Sequence, residues 1–117
     1  MKSERRTATS APTCWQREAA CACLRIETSD RAAQVFPYQH LVTASLDCGD
    51  EAEILRLIFS THDVEITGRN LRALLLAVQD FAVKWVRTIP ERYRQVEEDT
   101  DHGVIWRMTV QEAGEQP

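Results

Sequence analysis

Apolar and polar side chains alternate with a period of two over residues 22–67, then recur with a helical period over residues 70–88. That switch sets the architecture the sequence predicts. Leu24 and Ile26 alternate with Cys23, Arg25 and Glu27 as in a strand with one buried face, and Thr28-Ser29-Asp30-Arg31 supplies a turn. Ala33, Val35 and Phe36 form a shorter strand stopped by Pro37, whose missing N–H cannot join a ladder. Val42, Ala44 and Leu46 alternate with Thr43, Ser45 and Asp47, and Cys48-Gly49-Asp50 turns the chain into the nearly continuous apolar run of residues 54–59. After Ser60 and Thr61, Val64 and Ile66 point inward against Asp63, Glu65 and Thr67, and Gly68 ends the strand.

The helical pattern is carried by Leu71, Leu74, Leu75, Val78, Ala82, Trp85, Val86 and Ile89, one apolar stripe with Asn70 as its predicted N-cap. Trp85 is read as a core anchor on that stripe. Thr88-Ile89-Pro90-Glu91 fits a capping box and predicts a short second helix, with Pro90 bending the chain between the two. An acidic connection over residues 97–103 leads to a last strand in which Val104, Trp106, Met108 and Val110 alternate with Ile105, Arg107 and Thr109. The expected fold is α+β: an antiparallel sheet of about five to six strands, one long amphipathic helix packed on one face, and a short second helix. Residues 1–13, rich in Ser, Thr and Ala, are read as a flexible arm, residues 14–112 as a single α+β domain, and residues 113–117 as a disordered tail.

Composition narrows the function classes without choosing one. At 117 residues the chain is about one domain long, with 44% apolar and 27% charged residues, ordinary usage for a packed core. The densest apolar run, residues 71–78, is interrupted by Arg72 and falls well short of the roughly 20 residues a membrane helix needs. No apolar signal region follows the basic N-terminus, so a cytoplasmic location with reduced thiols is expected and no membrane partner. Net charge is -4, an unfavourable balance for duplex DNA. Arg69, Arg72, Lys84, Arg87, Arg92 and Arg94, with Tyr93, nevertheless form a basic run that offers nucleic-acid binding as an alternative.

Candidate chemistry is sparse. Cys14, Cys21 and Cys23 present thiolates, but Cys21 and Cys23 bracket one residue where structural zinc sites use two to four. A disulfide between those two is disfavoured by strain in so small a ring. His40 and His62 open two predicted strands and form a candidate pocket if those strand starts are adjacent, the best seed for an enzyme. Asp99-Thr100-Asp101-His102-Gly103 resembles a calcium loop superficially, without its distal glutamate, and reads as a solvated turn. No phosphate-binding glycine loop, dinucleotide fingerprint or nucleophile elbow occurs, and no cofactor or metal is expected. Helical phase places Leu76 and Val83 opposite the buried stripe, rimmed by Arg72, Asp80 and Arg87. That patch predicts a non-catalytic interaction or oligomerisation module, its partner a second copy or another protein.

Overall fold

The computed structural model describes residues 13–90 and 103–113. Eight strands and one helix follow in the order β1 (Trp15–Arg17), β2 (Cys23–Ser29), β3 (Ala32–Pro37), β4 (Leu41–Cys48), β5 (Glu53–Phe59), β6 (His62–Arg69), α1 (Arg72–Gln79), β7 (Val83–Arg87) and β8 (Val104–Glu112). They form two four-stranded sheets, ordered β1-β7-β2-β3 and β4-β5-β6-β8. The single sheet under a long helix that the sequence predicts is therefore replaced by two facing sheets and one short helix. Period-two patterning says that each strand has one buried face, and both architectures satisfy it.

The second sheet is a meander of hairpins extended by β8, antiparallel throughout. The first is mixed, because β7 returns beside β2 in parallel after the chain has built most of the other sheet. A 3-10 turn, Tyr38–His40, follows Pro37 and carries the chain between sheets. Leu24 and Ile26 of β2 face Leu55 and Leu57 of β5 and Val64 and Ile66 of β6 in one core, and Phe36 stacks on Phe59 across it at 4.7 Å. Cys14 closes one end, its Sγ accepting the Ile105 N–H at 3.4 Å while its carbonyl accepts from Arg87.

The helix runs for only eight residues. Leu71, Leu74, Ala77 and Val78 are buried. Asn70 does not cap it: that residue takes a left-handed φ of 60°, and the Leu71 N–H is accepted instead by the Glu53 carboxylate of β5 at 2.8 Å. The far end closes with two capping bonds, Phe81 N–H to Val78 O and Ala82 N–H to Ala77 O, with Phe81 left-handed at φ 55°.

Beyond that point the expected helix is strand β7, and its bulge explains the difference. Trp85 pairs with Gln16 and Val83 with Arg17, so Lys84 is an extra residue and Val83 and Val86 both face inward three positions apart. That spacing imitates a helical stripe. Trp85 accordingly lies on the outer face of its sheet, half-buried, its indole N–H donating to Gln16 Oε1 at 2.9 Å, and is not a core anchor. Thr88 to Pro90 are not helical, and the rest of the expected second helix lies outside the described residues, as do the acidic connection up to Gly103 and most of the expected arm and tail.

The same device recurs in β8. Thr67 pairs with Arg107 and Gly68 with Ile105, which makes Trp106 the extra residue: Met108 keeps the inward place the alternation expects, while beyond the bulge Ile105 is buried in place of Val104 and Trp106. Gly68 permits the close approach, since a Cβ there would land on the Val104 carbonyl oxygen.

Candidate interaction cleft

Strand β4 lies at one edge of its sheet, and α1 packs beside it. Between them runs a cleft of about 420 Å³. Leu41, Val42, Thr43 and Ala44 form the strand wall, Leu75, Leu76, Val78 and Gln79 the helix wall, and Phe81 stands at the end. No charged side chain lines it.

Local sequence explains each wall. Leu41 pairs with Phe59 and Thr43 with Ile58, so Val42 is a bulged residue with no opposite number and its side chain is 68% exposed. Leu76 falls on the side of α1 away from Leu74 and Val78 and is 49% exposed. Phe81 is held outward by its left-handed backbone and is 50% exposed, one side of its ring against Tyr38 at 5.1 Å between centroids. Three of the four large apolar side chains exposed among the described residues thus surround one cleft, the fourth being Val35 on β3.

The patch expected from helical phase is divided by the fold. Val83 is fully buried on β7, because the helix has already ended. Arg72 is exposed on α1, and Asp80 at its end is bound by Arg17 of β1 at 3.1 Å. Arg87 sits on the outer face of the other sheet with its guanidinium 4.3 Å from the centre of the Trp85 ring. Of the expected set, only Leu76 lines the cleft, and Val42 and Phe81 join it without having been marked by the sequence pattern. An exposed valine in a period-two segment looks like any alternate residue unless the bulge is known, and Phe81 stands beside the helix-ending turn that the periodicity concealed.

His40 and His62 come to the same end of the sheet, where the Ser60 N–H donates to the His40 carbonyl at 2.7 Å. Their rings have separate surroundings. His40 is exposed, whereas His62 is half-buried with Nδ1 2.9 Å from Thr61 Oγ1 and its ring edge-on to Phe36. Neither lines the cleft.

The thiols are likewise dispersed and none is in a disulfide. Cys14 is buried, and desolvation pushes its pKa up despite the Ile105 hydrogen bond and the Arg87 charge. Cys21 donates to the Glu18 carbonyl and is also raised, by desolvation and then by the Glu18 charge. Cys23 and Cys48 are exposed. Among the described residues no group of three or more His, Cys, Asp or Glu side chains is disposed to hold a metal.

Among the described residues, the members of the basic run are spread over separate contacts. Lys84 pairs with Glu18, Arg87 covers Trp85 and Arg69 stacks over Trp106 at 5.6 Å, while Arg92, Tyr93 and Arg94 lie outside the described residues, as do all but Gly103 of the calcium-like loop. No helix among the described residues is long and apolar enough to cross a membrane. Comparison with protein families, characterised proteins and solved structures finds no match for this chain.

Proposed function

We propose that this chain is a non-catalytic interaction module and that its working surface is the cleft between β4 and α1. The observation that carries this reading is the concentration of Val42, Leu76 and Phe81 around one uncharged groove beside a sheet edge that no described strand pairs. An edge strand presents backbone N–H and C=O groups that can bind an added strand, and a helix beside it supplies a wall for alternate side chains. Four residues of strand wall correspond to roughly 13 Å of extended chain, long enough to seat two side chains that point the same way. The partner segment is therefore extended, with uncharged apolar residues at alternate positions.

A displayed library of extended peptides, selected in parallel on the wild-type protein and on Leu76→Glu, tests this. Sequences with that alternation should be recovered on wild type and lost on the variant. Recovery of no peptide, or of the same set on both proteins, rejects the cleft as the working surface.

A further inference from the structure

We infer that the occupant of the cleft is β4 of a second copy of this chain, paired antiparallel across a two-fold axis so that two four-stranded sheets join into one. This rests on the cleft being the working surface and names its partner.

The strand has the chemistry its own cleft requires. The occupant must be extended, uncharged and apolar at intervals, and β4 has no charged residue from Leu41 to Leu46, with Leu41, Val42, Ala44 and Leu46 apolar. The polar side chains at the strand ends point the same way. Exposed His40 immediately precedes the strand, and Asp47, its one acidic residue, stands near the other end with its side chain 76% exposed although Arg56 reaches it at 3.0 Å. Antiparallel pairing about an axis at Ala44, with the bulged Val42 as the extra residue of each strand, sets His40 of each copy opposite Asp47 of the other, and both ends of the contact gain the same donor and acceptor pair.

Pairing also gives the exposed apolar groups a place to go. A two-fold axis perpendicular to the joined sheet leaves both α1 helices on the same side of it, so Leu76 and Phe81 of one copy approach those of the other over the paired strands. Phe81 adds an independent indication. A left-handed residue that ends a helix is ordinarily glycine, and a bulky aromatic held there with half its surface in solvent is strained without a full packing return in the single chain. Closure of the pair supplies the missing contact.

Sedimentation equilibrium over a wide concentration range is the first measurement, on wild type, Val42→Lys and Leu76→Glu. Both positions are exposed in the single chain, so the variants should keep the wild-type circular dichroism while their dimer dissociation constants rise at least tenfold. A charge-swap pair checks the orientation: His40→Glu should weaken the dimer and addition of Asp47→Lys should restore it. Cysteine placed at Thr43 or at Ala44, in a chain with Cys23 and Cys48 changed to Ser, should give a covalent dimer on mild oxidation, whereas cysteine at Val35 should not. A wild-type dimer unaffected by Val42→Lys and Leu76→Glu, with no crosslink at either central position, overturns the proposal. A wild type that stays monomeric at high concentration yet still selects alternating peptides through Leu76 also overturns it and leaves the cleft reading standing. A monomer that selects no peptide removes both.

Discussion

The Tyr38 hydroxyl both donates to the Val83 carbonyl at 2.7 Å and accepts the Val83 N–H at 3.1 Å, so one side chain serves the whole backbone polarity of one strand residue. The need arises from the sheet. Pairing of β7 with β2 starts only at Trp85, and Val83, fully buried, lies at the fork where those two strands have separated. Tyr38 fills the fork from the 3-10 turn, with its own N–H donated to the Ala22 carbonyl at 2.9 Å. It thereby ties the turn between the sheets to the strand that follows the helix, directly behind Phe81 and the cleft.

Removal of this hydroxyl should cost far more than an ordinary surface hydrogen bond. Tyr38→Phe keeps the ring and leaves a buried N–H and a buried carbonyl without partners, so a loss of roughly 1 to 3 kcal/mol is expected in a urea titration. A change below about 0.5 kcal/mol would mean that another group replaces the hydroxyl, and the latch would not be a structural requirement.

Alkaline pH should release the same latch. Desolvation raises the Tyr38 pKa from 10.0 to about 12, against the opposing Val83 hydrogen bond. The folded protein holds this proton more tightly than the unfolded chain, so its stabilising contribution is complete below pH 10.0 and is lost as pH rises toward 12. The slope approaches about 1.4 kcal/mol per pH unit across that window for this one group. In a Tyr93→Phe background, leaving Tyr38 as the only tyrosine, phenolate absorbance should appear together with unfolding. Ionisation at the ordinary tyrosine pKa in a chain that remains folded is the contrary result.

How far the fold could be read from the sequence depends on where bulges fall. Strands β2, β5 and β6 keep a strict period of two along their core faces, and Leu24, Ile26, Leu55, Leu57, Val64 and Ile66 point inward as alternation requires. In β7 and β8 an extra residue separates inward neighbours by three, as at Val83 and Val86 or Ile105 and Met108. Directly after a true helix, that spacing continues the helical stripe without a visible break. The cleft was legible only through Leu76, because Val42 and Phe81 are exposed by a bulge and by a left-handed turn, two backbone events that hydropathy does not record.

Two substitutions on β7 separate the strand from the helix it resembles. Val83→Asp places a carboxylate in the packed core and should prevent folding or cost more than about 3 kcal/mol, whereas on an outward helical face it would be nearly neutral. Trp85→Ala should cost less than the roughly 3 to 5 kcal/mol of a fully buried aromatic, since the indole lies on an outer sheet face against Gln16 and Arg87. Urea midpoints in the reverse order would restore the helix.

The cysteines should react in order of access. Cys23 and Cys48 are exposed and should take up a thiol reagent first, and Cys21 more slowly because it is half-buried with a raised pKa. Cys14, buried at the junction of the sheets and also raised, should react only when the chain unfolds. Peptide mapping after timed alkylation measures this, and early modification of Cys14 would mean that β1 does not hold the closed position.

Phe81 offers the most direct way to separate what the backbone needs from what the cleft needs. Phe81→Ala and Phe81→Gly both remove the ring, its contact with Tyr38 and its share of the cleft, and they differ only in whether a Cβ must be held at φ 55°. A left-handed conformation costs an L-residue about 1 to 2 kcal/mol, partly offset by the greater freedom glycine has in the unfolded chain. The glycine variant should therefore be the more stable of the two by about 1 kcal/mol in matched urea titrations, since the two capping bonds to Val78 and Ala77 persist in both. On the proposed pairing association responds differently: the ring would make the contact, so both variants should weaken the dimer by the same factor whatever their stability. An alanine variant as stable as glycine would show that the turn is not left-handed in solution. Unchanged association in both variants would exclude the ring from the contact.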